Sequence, residues 1–432
     1  MRNRRPFLAA LLLLSFPFAA HAQATSAAKR LGFSPERLAR VDRFLQQYVD
    51  SNQIGGAVAL VLRDGQPVYE RAVGWSDKEE GRRMAPDAIF RIASQSKALT
   101  SAAILMLVEE GRIALGDPVS RFIPAYARTT VALVADSGRA PVPAKRQITI
   151  EDLLTHTAGI SYGTDGFVAA RYSAKGLGPA AGWGWFTADK DELICATMER
   201  LATVPFVGQP GEAWVYGYNT DILGCVVERA SGIPLDEFIR SRITAPLGMK
   251  DTWFFLPASQ RARLATVYTT DGTAPPHLVR APNGPRGQGD YVDGPRRSFG
   301  GGAGLVSTAR DYARFLEMIR NRGELNGVRY LSPKMVDLMT TNQVGTLYRA
   351  GQGFGLGFQT VERLGADGLA SVGSFGWGGA YASTYMVDPT EQLVIVFMIN
   401  QLPNRSDVAS KFPTLVYQAL VAPKGGAGVV QR

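Results

Sequence analysis

Ser94-Gln95-Ser96-Lys97 places a hydroxyl and an amine three residues apart. On a helix, positions i and i+3 share a face. The Lys97 amine then falls within hydrogen-bonding reach of the Ser94 hydroxyl. A lysine buried among apolar or cationic groups has a lowered pKa and can take a serine proton near neutral pH. The chemistry implied is nucleophilic acyl transfer, with lysine where a triad would use histidine. The same spacing recurs at Ser26-Ala27-Ala28-Lys29, in a loose run of small and polar residues, so spacing alone does not single out Ser94. Its setting does: Ser94 opens an apolar helix directly after the hydrophobic residues 90–93, which predicts a buried Lys97.

Other chemistries fit less well. Beyond the first 22 residues the histidines are His156 and His277, and a Ser-His-Asp triad would need one of them as base. Gly159-Ile160-Ser161-Tyr162-Gly163 matches Gly-x-Ser-x-Gly. A nucleophile elbow needs a strand before it and a helix after it, whereas a short helix precedes this one and a Gly-rich loop follows. Ser161 therefore reads as a loop serine. Two isolated histidines and two cysteines give no metal-ligand spacing, and no phosphate-binding Gly-x-x-x-x-Gly-Lys occurs. No metal or organic cofactor is expected. Gly300-Gly301-Gly302-Ala303-Gly304 lacks the strand-turn-helix setting and later acid of a dinucleotide site; a tight backbone approach accounts for it better. Cys195 and Cys225 lie in helix-like stretches. They form a disulfide in an oxidising compartment or stand as two buried thiols, and the sequence leaves both open.

The elements that position Ser94 follow from pattern. Ser34-Pro35 starts a helix, with serine at the cap and proline at the first helical position, which runs to about residue 50. Residues 56–62 form an apolar strand, Asp64-Gly65 a hairpin turn, and a second strand follows. The Ser94 helix extends to about residue 111. Residues 117–294 read as helices (151–155, 189–201, 220–232, 235–240) joined by long Gly/Pro loops, with 272–301 loop-like throughout. Helices at 308–320 and after Ser332-Pro333 follow, then strands at 355–360, 382–387 and 393–399, and a last helix over 406–421. Strands at both ends with helices between predict an α+β fold: one antiparallel sheet built from both termini, flanked by helices, with a mainly helical region inserted.

The 432 residues, 46% hydrophobic, suffice for a sizeable core. Residues 1–22 have an Arg2/Arg4/Arg5 n-region, an apolar run and Ala20-His21-Ala22 as a small-x-small cleavage site. That is the plan of a secretory signal peptide rather than a membrane span, with an uncleaved anchor as the alternative. The hydrolase domain is then 23–432, exported to the periplasm or secreted. Losing the three arginines takes the net charge from +9 to +6. The cations are scattered, with no basic run interleaved with aromatics, so nucleic acid is not an expected partner, nor is stable membrane insertion. Oligomeric state is not legible.

At this point a family comes into view. Residues 90–97, Phe-Arg-Ile-Ala-Ser-Gln-Ser-Lys, resemble the active-serine motif of class C β-lactamases, D-alanyl-D-alanine carboxypeptidases and family VIII carboxylesterases. Residues 153–160, Leu-Leu-Thr-His-Thr-Ala-Gly-Ile, resemble a second stretch of that superfamily. Pro210-Gly211-Glu212-Ala213-Trp214-Val215-Tyr216 resembles the run into its catalytic tyrosine, and Phe375-Gly376-Trp377-Gly378-Gly379 the third motif of its esterase branch. Order and spacing agree over nearly the whole chain after the signal. The resemblance implies the β-lactamase/D,D-peptidase fold and Tyr216 as the group sharing a proton with Ser94 and Lys97. It also implies an oxyanion hole made by the backbone N–H groups of Ser94 and Ala380, with Tyr218, Trp377, Gly378 and Gly379 meeting the substrate.

Two departures shape the substrate expectation. Where lactamases have Tyr-x-Asn, this chain runs Tyr216-Gly217-Tyr218-Asn219, with Asn219 one residue late. Where they have Lys-Thr-Gly, it has Trp377-Gly378-Gly379, without the cation that meets a carboxylate. An aromatic wall suits apolar acyl or alcohol groups, and a glycine pair lets a substrate approach the strand backbone. A serine hydrolase acting on short-chain acyl esters through an acyl-enzyme is the leading expectation. A D,D-peptidase, D-aminopeptidase or weak β-lactamase acting on amides is the second, and a non-catalytic binding module the third. A small-molecule ester or amide is the expected partner.

Overall fold

Leu393–Ile399 is apolar and buried at every position, as a strand covered on both faces must be. It lies inside an eight-stranded antiparallel sheet. The chain is described by a computed structural model over residues 26–132, 141–179, 188–273, 277–282 and 288–424. The segment 1–22, expected to be an export signal, lies outside those residues. In chain order the sheet strands are β1 (Gly56–Arg63), β2 (Gln66–Asp77), β3 (Arg82–Arg83), β4 (Gln352–Phe354), β5 (Gln359–Val361), β6 (Phe375–Gly378), β7 (Thr384–Asp388) and β8 (Leu393–Ile399). Across the sheet they run β4-β5-β6-β7-β8-β1-β2-β3. The centre joins the two ends of the chain: Ala57 faces Ile399 and Arg63 faces Leu393. Among the described residues, no strand between Arg83 and Gln352 joins this sheet.

The helices that bear on the site are α1 (Pro35–Asp50), α2 (Ser96–Glu109), α3 (Ile150–Leu154), α4 (Ile194–Leu201), α5 (Asn219–Ser231), α6 (Ala309–Arg320) and α7 (Val408–Tyr417). Ser34 caps α1, its hydroxyl accepting from the Arg37 N–H at 3.2 Å, with Pro35 in the first turn, where its missing N–H costs nothing. Alternation along the strands sends one set of side chains to each face. Ala59, Val61, Ile395 and Phe397 pack against Val41 and Leu45 of α1 and Phe412 and Val416 of α7. Val58, Leu60, Val396 and Met398 pack on the other face with Leu99 and Ala103 of α2 and Tyr312 and Leu316 of α6. All twelve residues from Ser96 to Leu107 of α2 are buried, so this helix is enclosed all round rather than amphipathic, with its polar residues Ser96, Lys97, Thr100 and Ser101 near its start.

Three expectations need adjusting. The strand predicted at 355–360 is a hairpin, β4 and β5, turning through 355–358; Leu356 and Phe358 are buried in that turn, so their alternation came from a packed loop. The helix predicted from residue 189 starts at Ile194, because Asp189 and Lys190 bond elsewhere, to the Asp290 N–H at 2.5 Å and the Gly176 carbonyl at 3.0 Å. The loop predicted over 272–301 contains a short ribbon, Leu278–Arg280 paired with Tyr268–Thr270. The alternatives for the cysteines resolve to a Cys195–Cys225 disulfide linking α4 to α5.

Candidate active site

The chain enters the site along a two-residue ribbon, Phe90–Arg91 paired with Val306–Ser307. Ala93 then takes a positive φ of 44°, rare for a residue with a Cβ. The tight 3₁₀ turn Ala93–Gln95 leads into α2. Ser94 sits in this turn, just ahead of the α-helix, where N–H groups have no partner within the helix.

Lys97, one turn further, is buried. Its Nζ donates to three oxygens: Ser94 Oγ at 3.4 Å, Tyr162 Oη at 2.9 Å and the Gly302 carbonyl at 2.8 Å. Three oxygens on three different segments therefore hold this amine in place. Nζ also stands 4.8 Å from the centre of the Tyr216 ring, a cation–π contact. The expected Lys97–Tyr216 partnership is therefore through the ring face, and Tyr162 takes the direct hydrogen bond. Sequence reasoning missed Tyr162, although it lies inside the Gly-x-Ser-x-Gly match. The serine of that match, Ser161, is buried and accepts from the Gly163 N–H at 3.1 Å. The motif marked this loop, but not which of its side chains meets Lys97. Burial pushes the Tyr162 phenol well above its ordinary range, and Tyr216 and Asp221 beside it act the same way. It stays a neutral phenol.

Behind Lys97 lies a buried carboxylate. The Gly302 N–H donates to Asp221 Oδ1 at 3.1 Å while its carbonyl accepts from Lys97. Gly302 thus stands between lysine and aspartate. A Cβ at Gly302 would overlap Asp221 Oδ2, so the glycine run at 300–304 serves a close backbone approach. Burial raises the Asp221 carboxyl to about 6, against the opposing pull of Lys97 and the Gly302 N–H.

Tyr216 precedes α5. Its ring stacks on Trp214, centroids 5.6 Å apart and planes at 12°, and its hydroxyl accepts from Trp377 Nε1 at 3.2 Å. His156 lies 4.8 Å from the same ring. Burial, and then the Lys97 charge, hold the His156 imidazole well below its ordinary pKa. It is neutral, and its Nδ1 pairs with Asn219 Nδ2 at 2.8 Å. His156 is thus part of the packing behind Tyr216. Asn219 also donates to the carbonyls of Ile160 and Val215. One residue along a helix is a turn of about 100°, and this offset faces Asn219 into the core instead of the cavity.

Tyr218 is not where the substrate expectation put it. It is buried, its hydroxyl accepts from the Gly178 N–H at 3.2 Å, and its ring meets Tyr162 edge-on at 4.7 Å. At the cap of α5 its side chain is turned behind Tyr162, away from the cavity wall.

Trp377, Gly378, Gly379 and Ala380 line one cavity with Ser94 and Tyr216; its volume is about 620 Å³. Gly378 and Gly379 were expected to admit substrate. Gly379 also permits a close backbone contact. A Cβ there would overlap the Ile92 carbonyl, so the turn after β6 can press against residues 92–93. Ala380 packs against the small apolar cluster that contains Ala93 and lines the cavity with Ser94. No group of acidic, histidine or cysteine residues able to hold a metal occurs among the described residues.

The protein-family model described as Beta-lactamase matches residues 41–419. The chain is similar to esterase EstB of Burkholderia gladioli, 33% identical over 379 residues, covering 84% of this chain and 90% of EstB. It is also similar to a lovastatin esterase of Penicillium rubens, 30% identical over 387 residues, covering 82% of this chain and 90% of that one. Among solved structures, EstCE1, described as a hydrolase with promiscuous acyltransferase activity, has a TM-score of 0.69 at 27% identity, over 92% of this chain and all of that one.

Proposed function

This chain belongs to the β-lactamase family, and on that premise we propose that it is a serine hydrolase of carboxylic esters with short acyl groups, working through an acyl-enzyme. The observation that carries this is Ser94 at the wall of an aromatic-lined cavity with Lys97 Nζ 3.4 Å from its hydroxyl. Ser94 Oγ attacks the ester carbonyl carbon. Its proton passes to Lys97 acting as the free amine, and Tyr216 relays it to the leaving alcohol. The Ser94 and Ala380 N–H groups hold the tetrahedral oxyanion. The alcohol departs with a proton passed by Tyr216, leaving the acyl group on Ser94, and water then releases the acid by the reverse route.

Esters are favoured over β-lactams and D-amino-acid amides on two grounds. Trp377 supplies no cation from β6, and the cavity's Arg349 has Asp367 as a nearby opposite charge; Asn219, which would meet an amide, is spent on His156 and the Ile160 carbonyl. We also place the mature enzyme outside the cytoplasm; the amino-terminal sequence and the disulfide support this, because such bonds persist in oxidising compartments.

The test is hydrolysis of p-nitrophenyl acetate and of a chromogenic cephalosporin, side by side, with Ser94→Ala as control. Ester turnover that disappears in the variant, with slow or no cephalosporin turnover, is expected. Unchanged ester turnover in Ser94→Ala would remove the mechanism, and fast cephalosporin turnover would move the amide reading ahead.

A further inference from the structure

The cavity at Ser94 does not end at Ser94. Along β6 the alternation of side chains sends Phe375 into the helix-side core and Trp377 to the Tyr216 ring, so Gly376 and Gly378 fall on the α7 face, where they put no side chain. β5 pairs with β6 only at Phe375 and Gly376, which leaves the Trp377–Gly378 edge without a β5 partner. The cavity lined by Ser94 and Trp377 is also lined by Met386, Ile395, Ala409 and Pro413, which lie toward the other face. Met386 and Ile395 belong to the core packed under α7. The far part is therefore a trench with Met386 and Ile395 on its floor and α7 as one wall; Gln359 and Asp367, hydrogen-bonded to each other at 3.1 Å, and Arg349 give the same cavity a polar border. A volume of about 620 Å³ is in the range that holds a drug-sized ligand, and a short acyl group on Ser94 fills only a small part of it.

The geometry points to a second subsite on the α7 side of β6 that takes an elongated apolar arm of the ester. This rests on the ester-hydrolase reading of Ser94. Continuity with Ser94 selects the occupant: a chain joined to the reacting carbonyl enters the trench past the open strand edge. Apolar burial then adds binding for each methylene placed there.

Filling the trench from its helix wall tests this. Ala409 is half-buried and Ser410 exposed on α7, so Ala409→Trp and Ser410→Trp narrow the trench without touching Ser94, Lys97 or Tyr216. Two ester series separate the arms: p-nitrophenyl acetate against p-nitrophenyl octanoate, and ethyl acetate against octyl acetate. In at least one series the long ester is expected to lose about tenfold or more in kcat/KM, a loss of the size that apolar contacts control. The short ester stays near the parent value. Equal losses on short and long esters, or parent-like ratios in both series, overturn the subsite. A calorimetric titration of octyl acetate onto Ser94→Ala, with and without Ala409→Trp, needs no turnover. Binding weakened by the tryptophan supports the trench, and binding unchanged by it, or no binding, overturns it. A parent enzyme inactive on both acetates would count against the ester reading, while the titration still decides the subsite.

Discussion

The Lys97 amine meets three oxygens, of Ser94, Tyr162 and Gly302, and this accounts for two tyrosines with different roles. Tyr162 is a buried neutral acceptor fixing the amine; Tyr216 lines the cavity and covers the amine with its ring. Tyr162→Phe leaves Lys97 one acceptor short in a buried place. It is expected to cost about 1–3 kcal/mol of stability, read as a lower melting temperature, with ester kcat reduced by roughly tenfold. Tyr216→Phe removes a proton carrier from the cavity wall and is expected to cut kcat by about 10²–10⁴ with a small change in melting temperature. If the two variants exchange these patterns, the roles are exchanged. The resemblance led to Tyr216. Tyr162 could be found only by seeing which side chain of the 159–163 loop folds onto Lys97.

At the scale of elements, α5 carries Asn219, Asp221 and Cys225 and fixes the back of the site. The disulfide ties Cys225 to Cys195 of α4 across a separation of 30 residues. Replacing both cysteines by alanine is expected to cost about 2–4 kcal/mol, measured as a shift in the urea midpoint. Asp221 gives α5 a pH signature. Its folded pKa, about 6, lies above the ordinary 3.8, so the folded state holds the proton more tightly than the unfolded chain. The stability it contributes is complete below about pH 4 and lost as pH rises through about 6. Asp311, also raised to about 6 by burial, acts in the same direction. Asp221→Asn is therefore expected to flatten, by roughly half, the share of the stability decline over pH 4–6 that these two groups produce. Urea midpoints across that window check it, and a steeper decline in the variant would refute it. Helix positions of this kind were legible from periodicity and capping residues. Helix starts were less so where side chains such as Asp189 bond outside their own element.

At the scale of the whole molecule, β8 and β1 join the two ends of the chain at the centre of the sheet, and α1 and α7 cover one face together. Ending the chain at Asp407 removes α7 and uncovers Ile395 and Phe397. The expected result is loss of soluble monomer in size-exclusion chromatography, since an exposed apolar sheet face associates. Soluble, active protein from that truncation would show that α7 is dispensable.

The sequence by itself determined the α+β class, the sheet contributed by both termini, and the Ser94–Lys97 pair, because these depend on period, local spacing and short motifs read along the chain. It left the cysteines undecided, assigned Tyr218 to the substrate and missed Tyr162. Tertiary structure decided those, since each depends on which way a side chain faces once α2, α5 and the 159–163 loop are packed. The trench beside α7 was equally invisible in sequence. Its floor and walls come from β6, β7, β8 and α7, and the space between them exists only when the sheet is assembled.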